Sequence, residues 1–122
     1  MNALFWLPAI CVGLHITEEF FWPGGFSAWF RGYRPENESS FTPHFAFWMN
    51  ALLVAATIVI GTIGPTWSRG VSLWLTVVAI LGGNALLHLR GTWRTRSYSP
   101  GAVTGTLLYL PLRIGGYWHF IA

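Results

Sequence analysis

Two short stretches hold the residue types that could do chemistry. The first is "HITEE", residues 15–19, and the second is "NALLH", residues 84–88. Imidazole and carboxylate together suit zinc, iron or manganese. They also suit metal-free proton transfer, because a carboxylate and an imidazole in low dielectric can hold their protons with very different tenacity and so act as an acid and a base in one site. In a helix, His15, Glu18 and Glu19 stand at i, i+3 and i+4 and share a face, as do Asn84 and His88 at i and i+4. A mononuclear metal site would use His15, Glu19 and His88 as ligands and keep an open position for a water. Asn84 would then serve as a fourth ligand or bind that water, and Glu18 would act as base. Two metals would need more carboxylates than this set offers; the Glu-x-x-His of di-iron bundles has the same offset in the reverse order. In the metal-free version Glu18 or Glu19 takes a proton and His88 returns one, a pairing suited to isomerisation or elimination. The catalytic candidates are thus Glu18, Glu19 and His88. Asn50, Asn84 and Thr104 are the candidates for holding the polar group of a substrate.

What positions these residues is a membrane. Of 122 residues, 53% are hydrophobic and only 9% charged, with no lysine, so the net charge of +3 comes from arginines. A soluble domain carries about 25% charged residues, and no polar stripe is present for water to contact. Four segments have the ~20 residues that cross a bilayer: 3–22, 44–62, 70–90 and 101–121. Backbone groups in hydrocarbon must be satisfied internally, so these are helices. The expected fold is an all-α, four-helix transmembrane bundle in a single domain, with both termini on the same side. Pro23, Gly24 and Gly25 are expected to close the first helix, Pro43 to open the second, Gly64 and Pro65 to end it, and Pro100 and Gly101 to open the fourth. Pro8 and Pro111 fall inside spans and are expected to kink them. Trp6, Trp22, Trp29, Trp48, Trp67, Trp93, Trp118 and Tyr98 form the interfacial belt. The first segment lacks a basic n-region and a cleavage site and reads as a retained helix.

The depth of the polar residues carries the functional reading. His15, Glu18 and Glu19 near the end of the first span, Asn50 near the start of the second, Asn84 and His88 near the end of the third, and Thr104 and Thr106 at the start of the fourth all fall at one level. Ionisable residues in a membrane normally face the bundle interior and mark function. Arg31 and Arg34 in loop 1, with Arg90, Arg94 and Arg96 around loop 3, outnumber Arg69 in loop 2. The positive-inside rule therefore puts loops 1 and 3 in the cytoplasm of a bacterial cell whose inner membrane holds the protein. Loop 1, about twenty residues long, reads as a partly aromatic segment that is re-entrant or lies on the surface and covers something. Two histidines remain unassigned. His44 is an interfacial residue or a third imidazole ligand, and His119 reads as interfacial. Arg113 is deeper than its charge explains, and Cys11 reads as a small core residue. Gly82, Gly83, Gly101 and Gly105 permit close helix approach.

The expected activity is that of an intramembrane enzyme acting on a lipid-like or isoprenoid-like substrate, with a divalent metal or with none. The rivals are a small proton- or ion-coupled transporter and a non-catalytic membrane scaffold subunit. A transporter needs polar groups at several depths, whereas here they gather at one. Partners are membrane lipid or a lipidic substrate, with homo-oligomerisation left open; three net positive charges are too few and too scattered for nucleic acid. No P-loop, Gly-x-Ser-x-Gly elbow, Cys-x-x-Cys pair or His-Glu-x-x-His motif is present.

"HITEE", followed by "NALLH" and then by "YSPGAVTG" at 98–105, resembles the HXXEE family of small bacterial integral membrane proteins. The resemblance covers most of the chain. It implies His15, Glu18, Glu19, Asn84 and His88 as the residues that matter, and it implies no particular reaction.

Overall fold

The computed structural model describes residues 2–21, 25–37 and 39–122. Pro23 and Gly24 as helix stops, Trp22 in the aromatic belt and Glu38 in loop 1 lie outside the described residues. The chain is all-helical: α1 (Asn2–Phe21), α2 (Gly25–Tyr33), a 3-10 turn (Pro35–Asn37), α3 (Pro43–Ile63), α4 (Gly70–Thr95), α5 (Ala102–Thr104), a π-helical turn (Gly105–Tyr109) and α6 (Leu110–Ile121).

Three of these, α1, α3 and α4, are long and apolar enough to cross a membrane, and the protein is an integral membrane protein. Their outward faces carry Ile10, Leu14, Leu52 and Ile80, each more than half exposed. A contiguous apolar exterior of this kind needs lipid around it. The fourth expected span is not one regular α-helix. α5, the π-turn and α6 run on without a gap over residues 102–121. At their junction Leu110 donates its N–H to Gly105 O, an i to i+5 bond. The π-turn stands just before Pro111, which brings no N–H and whose ring crowds the carbonyl four residues back. Widening the preceding turn is one way a helix accommodates that. α1, in contrast, continues through Pro8.

Local sequence accounts for the remaining boundaries. Thr42 caps α3, its hydroxyl accepting from Phe45 N at 3.1 Å, and Pro43 takes the first helical position, where no N–H is needed. α4 runs five residues past the expected end at 90 and stops where Arg96 turns into the left-handed region at φ 51°. Loop 1 is largely helical: α2 is amphipathic and begins at Gly25, whose φ is +64°. α1 packs mainly along α3, and α4 mainly along the π-turn and α6. The core between them is built on Val12, Ile60, Trp74, Val78, Leu81 and Tyr109.

Candidate metal centre

The last two turns of α1 carry His15, Glu18 and Glu19, and the last third of α4 carries His88. The turn from α4 into α5 crosses directly over them. Gly101 sits in that turn at φ +103°, and a Cβ added there would stand 2.6 Å from His88 Cε1 and 2.8 Å from His15 Cε1. Only glycine takes that dihedral freely and lets the backbone lie against both rings.

His15, Glu19 and His88 are brought together. The Nε2 atoms of His15 and His88 lie 3.0 Å and 3.1 Å from one and the same oxygen, Glu19 Oε1. One ligand atom from each residue falls within 4.8 Å of the others, which is close enough for a single ion. The side chains are 2%, 5% and 0% exposed, so the cluster is shielded from bulk water. The imidazoles meet edge to face with centroids 5.1 Å apart. Tyr109 covers His15 at 4.4 Å, and Phe26 of α2 covers His88 at 4.7 Å. This His/Glu/His cluster is able to hold a divalent metal.

The far nitrogens are held as well. His88 Nδ1 is 2.9 Å from Ser99 Oγ, and His15 Nδ1 is 2.8 Å from Thr104 Oγ1. The Thr104 hydroxyl has one proton and gives it to Glu18 Oε1 at 2.6 Å. Toward His15 it therefore accepts, so His15 Nδ1 carries a hydrogen. A neutral His15 then turns the lone pair of Nε2 toward a carboxylate oxygen. A proton between the two atoms, on the ring or on the carboxyl, resolves that opposition, and so does a metal ion. His88 faces no such conflict, because a hydroxyl such as Ser99 can donate or accept.

Glu18 does not join the cluster. Its Oε1 accepts from Thr104 N and Thr104 Oγ1, and its Oε2 accepts from Val103 N and from the Tyr98 hydroxyl. It thus sits on the free N–H groups that open the last helical segment, a place that favours a carboxylate. Tyr98, in the turn outside the spans, is pushed up to about 12 by burial, by its bond to Glu18 and by that group's charge. Two residues assigned no part in the chemistry from the sequence prove integral to the site: Ser99, and Gly101, expected only to open a helix and permit close packing. Their signal was position: a Gly and a Ser directly between the His88 helix and the next helix.

Asn50 and Asn84 stand farther off. Both line a cavity of about 260 Å³ that Glu19 also reaches. Asn50 Nδ2 donates to Ala46 O of its own helix at 2.9 Å. Asn84 Oδ1 is buried without a hydrogen-bond partner. His44 is exposed and is not part of the cluster. His119, also exposed, packs on Phe120. Arg113 lays its side chain over the bare backbone of Gly82, which gives its stem a place in the helix packing. Among the described residues the one arginine–carboxylate pair is Arg34–Glu36, at 3.3 Å, so neither Glu18 nor Glu19 is paired with an arginine there.

Neither a curated protein nor a solved structure matches this chain. A family described as "Protein of unknown function with HXXEE motif" matches residues 6–115, from the first turns of α1 into α6. Since the match takes in nearly every element that builds the cluster, the chain belongs to the HXXEE family of small membrane proteins.

Proposed function

We propose that this protein is a metal-dependent intramembrane enzyme acting on a lipid-like substrate. The observation that carries this reading is the convergence of two imidazole Nε2 atoms on one oxygen of Glu19, with the Nδ1 proton of His15 fixed by Thr104. Lone pairs that aim at a common point from a buried, hydrogen-bonded set are what a metal site requires. Histidine and carboxylate donors fit zinc, iron or manganese. Such an ion would polarise a substrate oxygen or make a water a better nucleophile near neutral pH.

The chain's own residues then take distinct parts. His15, Glu19 and His88 hold the ion. Glu18, first considered as a base, orients His15 through Thr104, and Ser99 orients His88. Asn50 and Asn84 hold the substrate's polar group in the cavity beside Glu19. The lipid-like substrate follows from the place of the site, which is buried among spanning helices and continuous with an aromatic-lined cavity. In this reading the segment 102–121 makes a fourth crossing, loops 1 and 3 face the bacterial cytoplasm, and both termini lie outside.

A second reading has an observation of its own. Separations of 3.0 Å and 3.1 Å are ordinary hydrogen-bond lengths, which an extra proton on His15 would also satisfy. The cluster would then be a metal-free acid–base pair. Elemental analysis of protein purified without chelator and with metals supplied separates the two. The metal reading expects about one equivalent of a divalent ion per chain, retained by wild type and lost in His15→Ala, His88→Ala and Glu19→Gln, with each variant's fold checked by circular dichroism. Wild-type protein free of metal under these conditions would overturn it and leave the acid–base reading.

A further inference from the structure

Two cavities meet at Glu19. One, of about 270 Å³, is lined by Ser27 and Arg31 of α2 and by Pro43 at the start of α3. The other, of about 260 Å³, runs between the helices past Phe30, Phe41, Phe45 and Met49 to Leu53. Glu19, Phe26 and Ala46 line both. The two cavities lie side by side against one carboxylate, with a cation lining one arm and largely hydrocarbon walls in the other, so a molecule that passes Glu19 from one to the other must bend there.

Resting on the reading of Glu19 and the two histidines as the reacting centre, we propose that the substrate is a single-chain amphiphile with an anionic head. Its head lies at Arg31 and its hydrocarbon chain lies among Phe41, Phe45 and Met49. Charge sets this orientation. Arg31 has no acidic partner among the described residues: Glu36 is taken by Arg34, Glu18 by four donors, and Glu19, which lines the same cavity, by the two imidazoles. A guanidinium matches a phosphate or carboxylate through paired N–H donors. A cationic head would meet Arg31 as a like charge, and a neutral head would leave it unpaired. The far arm offers no charge beyond Glu19 itself, only the amides Asn50 and Asn84, so it accepts a chain and excludes an ionic group. Asn84 Oδ1, buried and unpartnered, marks where a hydroxyl or amide N–H on that chain would find an acceptor. The bond between head and chain then lies at the bend, beside Glu19.

The test uses the full-length protein in nanodiscs of zwitterionic lipid and follows equilibrium retention of labelled dodecyl phosphate, with empty nanodiscs as the blank. Saturable retention is expected, about tenfold weaker in Arg31→Gln, which removes a charge-assisted contact. It is expected to be unchanged in Arg90→Gln, a basic neighbour that lines neither cavity. Ala46→Leu, which narrows the bend, is expected to weaken it as well, and dodecanol is expected to compete poorly. Equal losses in Arg31→Gln and Arg90→Gln would mean surface charge alone, and displacement by millimolar inorganic phosphate would mean a free-anion site; either result overturns the proposal. Retention that ignores Arg31→Gln overturns it too. Metal content is measured on the same samples. Bound metal without retention sinks the substrate class alone, and Arg31-dependent retention without metal sinks the metal reading alone.

Discussion

His15 and Thr104, 89 positions apart in the chain, are joined by a hydrogen bond of 2.8 Å from the imidazole Nδ1 to the threonine hydroxyl. Through it the two neighbouring glutamates act on opposite ends of one ring. Glu19 faces Nε2 directly, while Glu18 accepts the hydrogen bond of the Thr104 hydroxyl and thereby leaves that oxygen to accept from Nδ1. Adjacent carboxylates point about 100° apart around a helix, so one reaches across to α4 and the other to the start of α5.

Thr104→Val keeps the shape of the side chain and removes the acceptor. Metal affinity is expected to fall about 10- to 100-fold, the usual effect of losing a partner that orients a histidine ligand. Thr104→Ser is expected to restore most of it. Competition titration against a chelator measures both, and a Thr104→Val protein that binds as tightly as wild type would rule out the orienting role.

Gly101→Ala puts a methyl against both imidazoles at a dihedral that side chains rarely adopt. A cost of about 1–3 kcal/mol is expected from the strained backbone alone, seen as a lowered midpoint of thermal unfolding. Metal binding is expected to suffer further, because the rings must part.

Stability is expected to depend on pH through Tyr98. Its folded-state value, about 12, lies above the ordinary phenol value of 10.0. A group whose folded value is raised stabilises the fold fully below its unfolded value and loses that contribution as pH rises through the folded one. The Tyr98–Glu18 contact should therefore hold up to about pH 10 and be lost by about pH 12. Melting curves of wild type and Tyr98→Phe across this window check it: the gap between them should close as the pH rises.

Asn84→Leu removes a buried acceptor that has no partner. A gain of about 1–2 kcal/mol in stability is expected, with metal content unchanged because Asn84 does not touch the cluster. A loss of stability would mean that Asn84 Oδ1 is satisfied in the folded protein.

The sequence by itself determined the helical class, the membrane and the three residues, His15, Glu19 and His88, that come together as a cluster able to hold a metal. Composition, span length and an i, i+4 spacing are local properties, readable without a fold: His15 and Glu19 must share a helix face wherever that helix goes. The common depth of His15 and His88 was legible for the same reason, since a span fixes each residue's level in the bilayer. Which way each side chain finds its partner was decided only by tertiary structure. The spacing could not tell Glu18 from Glu19, because both lie within one turn of His15. The crossing of α1 against α4 and α5 divides them, sending one to the imidazoles and the other to the N–H groups of Val103 and Thr104. The same holds for Gly101, whose importance lies in two rings contributed by other helices. It holds for Arg31 too, a residue that counted toward topology in the sequence. It gains a chemical setting only because α2 folds back over the mouth of the site, beside the end of α1.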